Sequence, residues 1–193
     1  MVRNYDPSRP VPAEVLTRLL EYAIRAPSAG FSQGWGFLVL TGEADRQRFW
    51  DATSDPAERS PWFEGMSRAP AIVVPHSSKD VYLDRYAAPD KGWADRDESR
   101  WPVPYWDIDT GMASLLMLLG AVDEGLGACF FGIPPARTAA YREAFAVPER
   151  YTPIGAITLG YRAPDQRSPS LKRGRRDVAE VTHWGRWTEA PVP

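Results

Sequence analysis

The spacing of hydrophobic residues predicts a chain in which helices and strands are mixed. Apolar residues recur at helical intervals over residues 12–25, where Pro12 suits a first helical turn and Pro27 follows the end. The same spacing predicts further helices over residues 43–52, 108–124 and 135–145. Continuous apolar runs predict buried strands over residues 36–41, 70–75, 128–133 and 154–161. Such runs are typical of a sheet that is covered by helices.

Two long segments differ most in character. Residues 108–124 are apolar nearly all round, so we expect a helix that is buried on most of its faces and ends at Gly125. Residues 79–106 are polar, aromatic and rich in proline, which predicts an excursion with a short helix and a long, lid-like loop. No repeat or dividing linker is visible, so we expect a single domain over residues 1–193, with a basic tail from about residue 163.

Composition excludes several classes of protein. The chain has 193 residues, of which 44% are hydrophobic and 25% charged, as in a globular protein with a real core. Its net charge of −2 gives no general attraction to nucleic acid or to an anionic membrane. One cysteine and two histidines allow neither an internal disulfide nor a structural zinc site. The first residues lack the apolar core of a signal peptide, and no apolar run could span a bilayer, so we expect a cytoplasmic protein.

Few side chains suggest acid–base or nucleophilic chemistry. The sequence has no glycine-rich dinucleotide fingerprint and no phosphate loop, and neither His76 nor His183 lies in a zinc-protease or nucleophile-elbow context. Cys129 stands in an apolar run, where burial disfavours the thiolate, so we expect an inert core thiol. This scarcity favours an enzyme whose cofactor supplies the reactivity.

The most informative segment is Ala-Pro-Ser-Ala-Gly-Phe-Ser-Gln-Gly-Trp-Gly-Phe, at residues 26–37. It is a turn of small residues between a predicted helix and a predicted strand. Small residues let the backbone approach a flat ligand closely. Serine and glycine are also frequent in turns for purely local reasons. By itself, the segment is compatible with an ordinary turn as well as with a binding turn.

Residues 26–35 resemble the Ala-Pro-Ser-x-x-Asn-x-Gln-Pro-Trp signature of the FMN-dependent nitroreductase family. Residues 109–113, which lead into Gly-Leu-Gly at 125–127, resemble the Asp-x-Gly-x-Ala helix of that family. Residues 130–133 resemble the segment that passes beside the flavin ring, where a backbone N–H can meet flavin N5. Taken alone, the last two segments are also typical of a core helix and a buried strand.

The chain termini add basic residues to this resemblance. Arg173 and Arg175 have the Lys/Arg-x-Arg spacing of the basic pair with which the family holds the FMN phosphate, although a charge run is also typical of a solvated face. Arg3 resembles the last part of the family's N-terminal arginine motif, whose earlier arginines and serine are missing. Phe31 and Gly34 stand where the family often has Asn and Pro.

The resemblance implies an α+β fold: a three-layer α/β/α sandwich whose central, mostly antiparallel sheet is flanked by helices, in an intertwined homodimer. Trp184 and Trp187 in the tail, which would be costly to expose on a monomer, also suggest a dimer. The implied FMN-binding residues are Arg3, Pro27, Ser28, Ala29, Gly30, Gln33, Phe131, Gly132, Arg173 and Arg175. We expect aromatic rings, which can stack on a planar substrate, to line the substrate pocket. They are Phe31, Trp93, Trp101 and Tyr105. Hydrophobic packing under the long loop explains the last three equally well.

The implied function is that of an FMN-dependent oxidoreductase with ping-pong kinetics. NADH or NADPH would deliver a hydride to the flavin, and a nitroaromatic, quinone or similar electron-poor acceptor would then take its place. We expect no catalytic side chain and no metal, since the flavin carries the chemistry. The alternatives are a specialised biosynthetic enzyme of the same fold, either a dehydrogenase or a flavin-consuming enzyme, a non-enzymatic flavin-binding protein, and a hydrolase without a cofactor.

Overall fold

The computed structural model describes residues 1–55, 57, 60–165 and 168–187. Within these residues the centre of the molecule is a five-stranded sheet. Its strands are β1 (Trp35–Leu40), β2 (Ala71–Ser77), β3 (Gly127–Phe131), β4 (Thr152–Pro153) and β5 (Ala156–Gly160). The four longer strands follow the order β1-β2-β5-β3, and the short β4 pairs with the end of β2. Each of these pairs is antiparallel.

The helices account for most of the remaining described chain. They are α1 (Ala13–Ala23), α2 (Glu43–Thr53), α3 (Pro61–Ser67), α4 (Lys79–Ala87), α5 (Tyr105–Asp123), α6 (Thr138–Ala144) and α7 (Val178–Val181). The predicted helices over 12–25, 43–52 and 108–124 correspond to α1, α2 and α5. Helix α3 was not predicted, because its seven residues are too few for a hydrophobic period to show. Its start is nevertheless marked by Ser60, which caps the N–H of Phe63, and by Pro61.

The sheet is covered on both faces because alternate side chains of each strand point to opposite sides. Val73 of β2 and Leu159 of β5 pack into the core that contains Leu19 of α1. The neighbouring Ile72 packs into a second core with Phe49 of α2. Helices α1 and α5 therefore form one outer layer, and α2, α3 and α6 form the other. This three-layer arrangement confirms the predicted α+β fold.

One face of α5 is apolar but exposed. Met117 is buried against the sheet, whereas Leu115, Leu119 and Val122 are more than half exposed, with Leu119 at 58%. The prediction that this helix is buried on most faces therefore holds only for its sheet side in a single chain. We call the exposed set of Leu115, Leu119 and Val122 the α5 stripe.

The predicted excursion begins with α4 and continues as a long loop to the start of α5. Exposed ion pairs join the loop to α4, such as Lys79–Glu98 at 2.7 Å and Arg96–Asp84 at 3.0 Å. In the part of the chain that the structure describes, no helix has the length and apolarity needed to cross a membrane.

Candidate functional site

Three arginines from distant parts of the chain line one cavity of about 820 Å³, which we call the arginine cavity. They are Arg3, Arg162 and Arg175. Arg3 lies there because the N-terminal segment runs beside β3, where the N–H of Val2 donates to the carbonyl of Ala128 at 3.0 Å. Arginines that line one cavity are well suited to bind a phosphate there.

Asp165 opposes this positive charge, since it lines the same cavity and accepts the backbone N–H of Arg3 at 3.1 Å. Arg173 belongs to an exposed 3-10 turn and is absent from the described lining of the cavity. The structure thus brings Arg3 and Arg175 together but not Arg173. It also adds Arg162, which sequence reasoning missed although this arginine directly follows the last predicted strand.

Two smaller cavities neighbour the arginine cavity. One of about 360 Å³ shares Arg3 and Asp165 with it and is also lined by Trp62. Trp62 in turn lines a third cavity of about 350 Å³, which is also lined by Phe131 and Gly132. Shared lining residues therefore relate the three cavities in a series from the arginines to the end of β3. Such a series suits an elongated ligand with an anionic end and a flat end.

The side chain of Phe131 is engaged within the protein. Its ring stacks on Trp50 with centroids 5.6 Å apart and meets the edge of Trp62 at the same distance. Gly132 is exposed, and a Cβ added to it would meet no atom of the described chain within 4 Å. The backbone at Gly132, rather than the Phe131 ring, is therefore free to face a ligand.

Residues 28–33 lie within the predicted turn and form a loop with an unusual backbone. We call this segment the 28–33 loop. Gly30, Phe31 and Gln33 have φ angles of 61°, 56° and 53°, in the left-handed region that residues with a Cβ rarely occupy. The N–H of Gln33 donates to Oγ of Ser28 at 3.0 Å, and Phe31 is 76% exposed. Strained backbone tends to occur at ligand-binding positions, which favours a binding turn over an ordinary one.

A buried carboxylate on α5 holds this loop. Oδ2 of Asp109 accepts the N–H of Ala29 and the hydroxyl of Tyr82, each at 2.8 Å, and Asp109 is only 2% exposed. Burial, reinforced by the Asp109 carboxylate, raises the pKa of the Tyr82 hydroxyl well above its ordinary value, so the hydroxyl remains a donor. Sequence reasoning gave residues 109–113 only a supporting role. An acidic residue within an apolar helix was the signal that could have revealed this contact.

Three of the four aromatic residues predicted for the substrate pocket pack against one another beside the 28–33 loop, whereas Phe31 stays exposed. Trp101 lies at the centre, with ring centroids 5.6 Å from Trp93 and 5.8 Å from Tyr105. It also meets Tyr86 at 4.6 Å, and the Tyr86 ring lies 2.6 Å from where a Cβ on Gly30 would be. These rings are therefore neighbours of the 28–33 loop.

Within one chain the width of the sheet separates the two halves of the predicted site, the 28–33 loop and the backbone at Gly132. The 28–33 loop precedes β1, and Gly132 follows β3, so both lie at the same end of the sheet. They lie on opposite edges, however, because β2 and β5 stand between β1 and β3. Three interstrand spacings amount to about 14 Å. A single chain therefore does not bring the loop and the cavities into one site.

Comparison with known proteins agrees with the fold. The sequence profile of the Nitroreductase family matches residues 1–161, and the chain belongs to this family. A protein of Methanothermobacter thermautotrophicus, provisionally named NADH dehydrogenase/NAD(P)H nitroreductase, is 26% identical over 191 residues. The match covers 96% of this chain and 82% of that protein.

Solved structures share the architecture over nearly the whole chain. An FMN-dependent nitroreductase of Clostridium difficile superposes with a TM-score of 0.67 at 20% identity, covering 96% of this chain and 94% of that one. A provisionally named nitroreductase of Exiguobacterium sibiricum, solved in complex with FMN, gives 0.64 at 21% identity over 91% and 92%. At these identities the likeness concerns the fold.

Proposed function

We propose that this protein is an FMN-dependent NAD(P)H oxidoreductase that reduces nitroaromatics, quinones or similar electron-poor acceptors. The observation that carries the proposal is the series of three neighbouring cavities, whose shared lining residues lead from Arg3 and Arg175 by way of Trp62 to Gly132. An anion-binding end and an open backbone end are what a flavin mononucleotide requires. Membership of the Nitroreductase family supports FMN as the ligand for which this geometry is suited.

The residues present fit FMN. Arg3, Arg162 and Arg175 would hold the phosphate, and the backbone at Gly132 would face the ring. Asp165 weakens the positive potential of the arginine cavity, so the three arginines act together to outweigh it. When bound, FMN would supply the hydride and electron transfer, and the protein would bind, orient and shield the reactants.

The protein's own titratable groups are consistent with this division of roles. His76 is buried beside Tyr141, where burial lowers its pKa to about 4, and Cys129 is buried with a thiol pKa raised by desolvation. Neither residue lines the three described cavities that form the proposed site. The names of relatives, which mention NADH, NAD(P)H and FMN, support the choice of donor and cofactor.

We further propose that the site is completed in a homodimer. The α5 stripe would form part of the interface, because a contiguous apolar surface that is exposed on a monomer commonly marks a contact. The 28–33 loop of one copy would then reach the Gly132 side of the other. The exposed Phe31, and the cluster around Trp101 behind the loop, would contribute a wall of the acceptor pocket.

The test is the visible absorption spectrum of the purified protein under anaerobic conditions, before and after NADH or NADPH is added. We expect two flavin bands that bleach with donor and return when a quinone or nitroaromatic is supplied. Flavin bands that do not bleach would favour a biosynthetic or flavin-binding role, and loss of flavin under oxygen would favour a flavin-consuming one. A protein that stays colourless after FMN is added would refute the proposal.

A further inference from the structure

The conformation of the 28–33 loop needs an external cause. Phe31 and Gln33 both have left-handed backbone angles although each carries a side chain. The hydrogen bonds within the loop are all local. The N–H groups of Phe31 and Ser32 donate to the carbonyls of Ser28 and Ala29. Ser32 Oγ also donates to the carbonyl of Ala29, and Ser28 Oγ accepts from the N–H of Gln33. These local bonds close a turn but do not fix its direction relative to the sheet.

The fixing contacts come from two helices. Asp109 on α5 accepts the Ala29 N–H at 2.8 Å, and the Tyr82 hydroxyl donates to the same carboxylate oxygen at 2.8 Å. Nε of Arg85 donates to the carbonyl of Gly30 at 3.0 Å. The ring of Tyr86 closes against Gly30, where it leaves no room for a Cβ.

Three of these contacts come from the same helix, α4. Tyr82, Arg85 and Tyr86 stand at positions i, i+3 and i+4 of α4, which places them on one face of that helix. Helix α4 is the first part of the excursion, and ion pairs such as Lys79–Glu98 and Arg96–Asp84 join it to the following loop. The position of the excursion therefore determines the position of the 28–33 loop.

We infer that Tyr82 and Asp109 are positioning residues for the 28–33 loop, and that the excursion acts as a clamp which sets the loop's geometry toward the flavin. The second half of this inference rests on the proposed function, whereas the clamp itself does not. The Tyr82 hydroxyl is the decisive group. It donates the hydrogen bond that joins α4 to the Asp109 carboxylate, and that carboxylate holds Ala29.

The test removes this hydroxyl alone. We would measure backbone hydrogen exchange of residues 28–33 in FMN-free Tyr82→Phe, Tyr151→Phe and wild-type protein, and then the FMN dissociation constant of each. Tyr151 is the matched control, since its hydroxyl has no hydrogen bond to any described residue and its ring packs on Gly36 of β1, outside the excursion. We expect Tyr82→Phe to speed exchange and to weaken FMN binding, each about tenfold, while Tyr151→Phe matches wild type.

Asp109 provides a second pair of variants. Asp109→Asn keeps an oxygen acceptor and should fall between wild type and Asp109→Ala in both measurements. If Tyr82→Phe does not fold, Arg85→Ala, which removes the bond to the Gly30 carbonyl, should show the same faster exchange.

The outcomes separate the clamp from the proposed function. Equal exchange in Tyr82→Phe and Tyr151→Phe would overturn the clamp. Faster exchange with unchanged FMN affinity would overturn its role toward the flavin. If wild-type protein binds no FMN, the proposed function fails, and the exchange comparison alone decides the clamp.

Discussion

The hydroxyl of Tyr141 on α6 lies 2.9 Å from Nε2 of His76 on β2, and the two rings stack at 5.8 Å. Both residues are buried between the sheet and the outer helices. The contact ties α6 to the sheet through a histidine that is kept neutral, since burial lowers the pKa of His76 from 6.5 to about 4.

This histidine should make the stability of the protein depend on pH. The unfolded chain takes up the imidazole proton near pH 6.5, whereas the folded protein does so only near pH 4. Protonation therefore favours unfolding, and the free energy of unfolding should fall by about 3 kcal/mol as pH drops from 7 to 4. Urea titrations across this range should show the fall. The fall should be smaller in His76→Gln than in His183→Gln, because carboxylates with lowered pKa values, such as that of Glu124, lose stabilisation in acid in both variants. Equal slopes in both variants would contradict the assignment.

The arginine cavity predicts a difference between two flavins. Arg175→Gln should weaken FMN binding about tenfold, because it removes a charged hydrogen-bond donor to phosphate at a partly solvated site. Riboflavin has no phosphate, so its affinity should not change. Flavin fluorescence titrations measure both. Arg150→Gln serves as a control for net charge, and Arg173→Gln tests whether the exposed arginine contributes. An equal loss of affinity for riboflavin would show that Arg175 acts elsewhere.

Gly132 offers a test of where the flavin ring lies. An alanine there meets no described atom of the chain, so the melting temperature of the FMN-free protein should stay within about 2 °C of wild type. If the ring faces this backbone, the added methyl group should reduce FMN affinity about tenfold or more. Calorimetry and fluorescence titration give the two values. Unchanged FMN affinity would place the ring elsewhere.

Gly65 of α3 predicts a loss of stability, unlike Gly132. A Cβ at this position would lie 2.1 Å from the carbonyl oxygen of Arg3, which is backbone and cannot rotate away. Gly65→Ala should therefore lower the free energy of unfolding by about 1–3 kcal/mol. It should also weaken FMN binding through displacement of Arg3. Ser67→Ala, two residues further along the same short helix, should do neither. A fully stable Gly65→Ala would contradict the close approach of the N-terminal segment.

The α5 stripe predicts the oligomeric state. Leu119→Glu should convert a dimer to a monomer in light scattering, because two carboxylates would be buried in the apolar contact at a cost of several kcal/mol. FMN binding should be lost along with the dimer. Val103→Glu, which alters an exposed apolar residue in the excursion, should leave the dimer intact. A Leu119→Glu dimer, or a wild-type monomer with normal FMN binding, would refute the proposed interface.

Sequence patterns predicted the central strands well, because a strand that is buried on both faces consists mostly of apolar residues. The apolar runs over 36–41 and 70–75 correspond to β1 and β2 within two residues at each end. The family resemblance pointed to Arg3 and Arg175, which do meet at one cavity. These features depend on local composition or on motif order, and both can be read without coordinates.

Other features depend on contacts between distant residues. Nothing in the sequence near Phe31 signals its left-handed backbone, and the contacts that hold the neighbouring Ala29 come from the distant Asp109 and Tyr82. The packing of Trp93 on Trp101 also decides that these rings share one cluster, although each could have served a pocket separately. A mostly apolar helix such as α5 looks buried in sequence, because hydrophobicity alone does not distinguish the protein core from an apolar face that is exposed.

The place of β5 in the sheet has a consequence for biosynthesis. This strand is the last of the sheet in sequence, yet it pairs with β2 on one side and β3 on the other. While the chain is being translated, β1 and β2 can form a hairpin-like pair, but β3 has no strand to pair with until residues 156–160 have left the ribosome. The edges of β2 and β3 that pair with β5 therefore stay unpaired until nearly the whole chain has been made. The sheet accordingly closes only after most of synthesis is over, and early termination before Gly160 would leave an aggregation-prone fragment.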